Sequence, residues 1–185
     1  MVIDSATAGP GPLPPGPAQA PAIGLQLFGV PALRLRGHIV DTGSRKALAL
    51  LAWLALEGRG TRARLATLFW PDLDAASARR NLRRELHRLR SAGAEAALLS
   101  NGDTLALAPS TTVDVQAFET ALAIGDDPAA VAAYGGPLLD GFDLPDGGEF
   151  DAWAAGLPAA DAFLRRTVPP ILALSLIHIS EPTRP

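Results

Sequence analysis

The sequence predicts an α+β fold in which short strands precede three helices and a β-hairpin, with further Ala-rich helices behind them. Three observations lead there. Residues 25–28 and 32–35 are apolar runs separated by Gly29 and Pro31, the pattern of two short strands joined by a turn. Three segments between residues 45 and 90 have helical periodicity, and each opens on a capping residue (Ser44, Thr61 or Asp74). Finally, Asn101-Gly102 stands between two apolar-rich runs within residues 98–107, a strong hairpin signal. A short helix, a tight connection, a long basic helix and a two-stranded hairpin follow in the order of a winged helix-turn-helix.

Residues 1–22 hold six prolines among Gly and Ala with no periodic apolar face, and read as a disordered leader. After the two strands, residues 38–40 suggest a third. The helix over 45–57 carries Leu48, Leu50, Leu51, Trp53, Leu54 and Leu56 around much of its circumference, so it belongs at the centre of the core. Gly58 and Gly60 stop it. The helix over 62–69 has one apolar face (Leu65, Leu68, Phe69) and ends before Pro71. The third helix spans about 75–90. In the hairpin, Asn101 and Gly102 are placed at the centre of a type I′ turn, each with positive φ. Residues 109–114 read as a connector. Helices near 114–124, 128–134 and 148–156 follow, separated by Gly and Pro, and suit a helical-repeat unit. The expected division is a winged-helix unit over 23–110, a helical unit over 111–168 and a tail over 169–185.

The net charge of −3 conceals a segregation. Residues 34–90 hold 13 Arg plus Lys against five acids, a balance of +8, whereas residues 91–185 hold three Arg against 13 acids, a balance of −10. The basic half suits a polyanion and the acidic half is repelled by one.

The third helix gathers the basic charge. At about 100° per residue, Ala75, Ala78, Leu82, Leu86 and Leu89 fall on one stripe that faces a core. Opposite lie Ser77, Arg80, Arg84, His87 and Arg88, flanked by Asn81 and Arg83. Arginines one turn apart (Arg80/Arg84, Arg84/Arg88) repel, and a phosphate-rich groove would compensate. The major groove admits one helix, where Arg pairs with guanine O6 and N7 and Asn with adenine N6 and N7. Arg80, Asn81, Arg84 and Arg88 are therefore assigned to bases, and Arg79, Arg83 and Arg90 to phosphates. The hairpin at Asn101 and Gly102 would be the wing. It holds neither Lys nor Arg and carries Asp103 at its tip, so only weak backbone contacts are expected from it.

These residues resemble the Streptomyces antibiotic regulatory protein (SARP) type of activator, whose N-terminal domain is similar to the OmpR/PhoB winged-helix domain. The segments concerned are Leu25-Gln26-Leu27-Phe28-Gly29, Arg45-Lys46-Ala47-Leu48-Ala49-Leu50-Leu51-Ala52, Leu65-Ala66-Thr67-Leu68-Phe69-Trp70-Pro71 and Ala76-Ser77-Ala78-Arg79-Arg80-Asn81-Leu82-Arg83-Arg84. Val113-Asp114-Val115-Gln116-Ala117-Phe118, Tyr134-Gly135-Gly136-Pro137-Leu138-Leu139-Asp140-Gly141-Phe142 and Glu149-Phe150-Asp151-Ala152-Trp153 resemble the start of that family's bacterial transcriptional activation domain (BTAD). The resemblance implies an N-terminal β-sheet and a TPR-like all-α domain that is incomplete here. It implies binding to directly repeated DNA elements, a homodimer on DNA, recruitment of RNA polymerase and a cytoplasmic, nucleoid-associated place. It also puts Ser77, Arg80, Asn81, Arg84 and Arg88 on the recognition helix. Pro169-Pro170 and the string over 174–185, which resembles a translated sequencing adaptor, mark a non-native tail. Because stacked helical units need neighbours, residues 125–185 are expected to pack poorly without a partner.

No catalytic constellation is evident, and the chain reads as a non-enzyme without cofactor. It has no cysteine, and His38, His87 and His178 stand apart from any ligand pattern, so no metal site is expected. Asp140, Asp143 and Asp146 are three residues apart, which does not match the alternate oxygens of a calcium loop. The longest apolar run, over 47–56, has ten residues, short of the 18 or so that a membrane span needs. The competing reading is a protein-interaction module whose basic helix docks on an acidic protein surface without DNA sequence specificity.

Overall fold

The protein is described by a computed structural model over residues 23–146 and 148–157. The leader over 1–22, Pro169-Pro170 and the tail lie outside these residues. In chain order the elements are β1 (Ile23–Gln26), β2 (Ala32–Leu35), β3 (His38–Val40), α1 (Arg45–Glu57), β4 (Arg59–Thr61), α2 (Arg62–Phe69) and α3 (Ala75–Ser91). A 3-10 turn (Glu95–Ala97) leads to β5 (Leu98–Asn101), β6 (Thr104–Leu107), β7 (Thr111–Val113), α4 (Asp114–Ala123), α5 (Asp127–Ala133) and α6 (Gly148–Ala155). This is an α+β fold with an N-terminal sheet and a winged-helix arrangement of α1, α2, α3 and the β5–β6 hairpin.

The N-terminal sheet has the order β3-β2-β1-β7. β1, β2 and β3 form an antiparallel meander, and β7 lies parallel to β1. Because side chains alternate across a strand, Ile23, Leu25, Leu33 and Val113 face the interior, where all four are buried. Residues 109–114, expected as a connector, thus contain a strand of the first sheet. Its Thr-Thr-Val composition favours a pleated surface, but three residues give no periodicity to detect.

The first strand ends earlier than the apolar run suggests, at Gln26 rather than residue 28. Beyond Gln26 the backbone finds other partners. Both carboxylate oxygens of Asp114 accept from the N–H of Leu27, and Oδ2 also accepts from Phe28, all at 2.9 Å. Asp114 also takes the N–H of Val115 at 2.8 Å. Burial pushes its carboxyl above the ordinary value against the pull of these backbone donors. On the other side, Leu139 donates to the Leu27 carbonyl and Gly29 donates to the Pro137 carbonyl. Gly29 has a φ of 70°, and a Cβ there would meet the Gly135 carbonyl oxygen at 2.9 Å, so the close approach needs glycine.

These bonds tie the helical part to the winged unit. Ala130, Leu139, Leu144 and Phe150 are buried in the same core as Trp53, Phe69 and Leu82. The expectation that residues beyond 125 pack poorly therefore fails for those described. They fill space against the winged unit instead of waiting for a further repeat. Phe150 stacks on Phe69 with ring centroids 5.4 Å apart, and the Trp153 indole N–H donates to Glu57 at 2.8 Å.

The second sheet has the order β4-β6-β5. The register Asn101↔Thr104 leaves Gly102 and Asp103 at the centre of the hairpin, not Asn101 and Gly102. Only Gly102 has positive φ (58°), which fits a type II′ turn with glycine first and corrects the type I′ expectation. β4 was not visible in the sequence, since Arg-Gly-Thr acquires its extended form by pairing with β6. Its glycine is required by packing. A Cβ at Gly60 would lie 2.7 Å from the Trp53 ring, which is buried and cannot yield. Gly60→Ala is expected to lower stability by about 1–3 kcal/mol through overpacking, measured by denaturant unfolding of both chains.

Candidate nucleic-acid interface

α1 is the floor on which α2 and α3 are set. Ser44 caps it by accepting from the Ala47 N–H. From its first turn Lys46 donates to the Phe69 carbonyl at 3.1 Å and lies over the Trp70 ring, 5.2 Å from its centre. The chain's one lysine thereby fixes the end of α2, and with it the turn through residues 70–74 into α3.

α3 buries Ala78, Leu82, Glu85 and Leu89. The sequence puts Ala75 and Leu86 in that stripe, but Ala75 is exposed and Leu86 half-buried, with Glu85 only 5% exposed in their stead. A wheel scored on apolarity misses an acid that carries its own counter-charge. Glu85 Oε1 takes a bond from Arg88 Nη1 at 2.7 Å, which lets the carboxylate lie inside.

The outward face presents Arg79, Arg80, Arg83, Arg84, His87, Arg88 and Arg90, all exposed, with Ser77 and Asn81 half-buried at its margin. Some of these cations are held and others are not. Arg84 donates to Asn81 Oδ1 at 2.8 Å, Arg88 to Glu85, and Arg90 to Glu95 Oε1 at 2.9 Å. Arg79, Arg80, Arg83 and His87 make no hydrogen bond or ion pair among the described residues. The face thus combines arginines of fixed direction with arginines that sweep solvent.

The N-terminus of α3 is closed to anions. Asp74 caps it, accepting from the N–H of Ala76 and Ser77 at 2.9 and 3.0 Å. The Ser77 hydroxyl, these N–H groups and the charge of Arg80 hold the Asp74 carboxyl below its ordinary value. Since the folded value is the lower one, Asp74 contributes stability above the ordinary Asp range, and loses it as pH falls through the folded value. Thermal melts of the wild type and Asp74→Ala should differ more at neutral pH than in acid below the ordinary Asp range. An equal gap at both pH values would contradict the assignment.

Asn101 and Gly102 are exposed at the end of the wing. The hairpin has no cation of its own, but β4 and the first turn of α2 bring one each beside it. Arg59 stands opposite Ala106 on the outer face, and Arg62 donates through Nη2 to Ser100 Oγ at 2.9 Å. The sequence hid this because Arg59 and Arg62 are remote from the hairpin along the chain.

No family model matches the chain, and no curated protein matches it. A solved structure does: Mycobacterium tuberculosis EmbR in complex with a low-affinity phosphopeptide, at a TM-score of 0.58 and 23% identity. The two share a fold. The likeness covers 80% of this chain and 43% of EmbR, so this chain spans less than half the length of that protein. It extends beyond what a winged-helix unit alone would cover, which agrees with the joint core of α1–α3 and α4–α6. No helix among the described residues is long and apolar enough to cross a membrane.

Proposed function

We propose that this protein is a sequence-specific duplex-DNA-binding transcriptional regulator, with α3 lying in the major groove as its recognition helix. The observation that carries this is the outward face of α3, which presents six arginines and a histidine to solvent and no acid. A solvated helix gains nothing from cations one turn apart, whereas a groove walled by phosphates does. Arg80, Asn81, Arg84 and Arg88 are proposed to reach base edges, with Arg79, Arg83 and Arg90 nearer the phosphates and Ser77 and His87 beside them. Arg59 and Arg62 add a cationic contact next to the wing at Asn101 and Gly102. The likeness of fold to EmbR, named in its structure for a bound phosphopeptide, is compatible with a regulator.

By its resemblance to the SARP type, the protein is further proposed to act as an activator. It would bind direct repeats as a homodimer and engage RNA polymerase through the BTAD-like helices from α4 onward. The test is selection of bound duplexes from a random pool by the full chain at near-physiological salt. Enrichment of a short motif is the expected result. Salt-sensitive binding without enrichment would overturn sequence reading and favour docking of α3 on an acidic protein surface.

A further inference from the structure

Glu85 is an expensive residue where it stands. Its side chain is 7% exposed, and Oε2 is buried with no hydrogen bond among the described residues. Its neighbours in the stripe are Ala78, Leu82 and Leu89, and an apolar side chain of similar volume would pack there without desolvating a charge. What the carboxylate does instead is point its other oxygen outward, to Arg88 Nη1 at 2.7 Å. Arg88 is 46% exposed, at the border between the packed and the open faces of α3. An arginine at such a border has many rotamers, most of which do not present its planar fork to a groove. Anchored by one N–H, the guanidinium keeps its remaining donors for a partner in solvent.

We propose that Glu85 is a positioning residue that fixes the Arg88 guanidinium for base recognition by α3. This rests on the proposed DNA-binding function. Asn81 and Arg84 form a second pair of the same kind one turn earlier, but that pair lies on the exposed surface, where water competes for it. The Glu85–Arg88 pair is the one rooted in the core. Arg80, without such an anchor, is free to follow phosphates or bases alike.

The proposal separates affinity from discrimination, and three single variants of the full chain test it. Arg88→Ala first identifies, by selection and competition with single-base variants of the motif, the base pair at which discrimination is lost. Glu85→Met is expected to lose about tenfold of the preference at that same base pair, the scale of one good arginine–base contact. Its preferences elsewhere stay intact, and its unfolding midpoint equals or exceeds that of the wild type. Glu85→Gln, whose amide oxygen still accepts from Arg88, is expected to keep the preference. Full preference in Glu85→Met, a loss spread evenly over all positions, or equal loss in the Gln and Met variants would overturn the proposal. A wild-type chain that selects no motif is a different outcome, and overturns the DNA-reading function itself.

Discussion

Replacing Arg80 and Arg84 together by alanine is expected to lower affinity for the selected duplex by on the order of 100-fold or more, each base-facing arginine contributing about 1–3 kcal/mol. Thermal stability should stay level or rise. Both side chains are exposed, so no packing is lost. They stand one turn apart and repel, and alanine is the best helix former, so the helix itself gains from the change. The one bond removed, from Arg84 to Asn81, is exposed to solvent. Opposite signs for binding and stability distinguish a functional face from a structural one. Arg36→Asn is a suitable control for loss of a positive charge away from α3, because Arg36 lies on the β2–β3 turn with a φ of 51° that asparagine tolerates. It should change binding little. If the Arg80/Arg84 variant bound as tightly as the wild type, α3 would not be the recognition helix.

The second large effect concerns the coupling of the helical part to the winged unit. Phe150→Ala is expected to cost about 3–5 kcal/mol, a large share of the stability of an ordinary domain. Phe150 is fully buried and makes ring contacts with Phe69, Phe142 and Trp153 at centroid distances of 5.4, 6.2 and 5.2 Å. Its partner Phe69 belongs to α2, whose end Lys46 fixes, so the cavity opens beneath the helix-turn-helix. Hydrogen exchange should show α6 and α2 losing protection together. Loss confined to α6, with α2 unchanged, would mean that the two parts fold independently.

Much of the architecture could be read from the chain because its signals were local. Ser44, Thr61 and Asp74 each cap the helix they were expected to cap, and the bounds of α1 and α2 follow from the glycines and Pro71. What escaped was non-local. β4 and β7 are three residues long and exist through their pairing with β6 and β1. The Asp114 carboxylate ends β1 from far along the sequence, and nothing around Asp114 announces it. The hairpin was placed correctly and its turn was shifted by one residue, because register depends on both strands rather than on the Asn-Gly pair.

The same division applies to the candidate interface. A helical wheel suffices to put Arg80, Arg84 and His87 outward, since periodicity is a property of the helix alone. It cannot show that Glu85 turns inward with Arg88 as its counter-ion, nor that Arg62 reaches Ser100 on the wing. Those facts depend on which surface α3 meets and on how β4 joins the hairpin.

The measurement that tests the central claim most directly replaces every purine of the selected site with its 7-deaza analogue. This removes N7, a major-groove acceptor, and leaves Watson–Crick pairing and the minor groove in place. If arginine and asparagine side chains of α3 read base edges there, affinity should fall by about tenfold or more. The fall should be smaller when Arg80 and Arg84 are already alanine, the remainder coming from Asn81 and Arg88. Undiminished binding of the wild type to the substituted duplex would contradict recognition by α3 in the major groove.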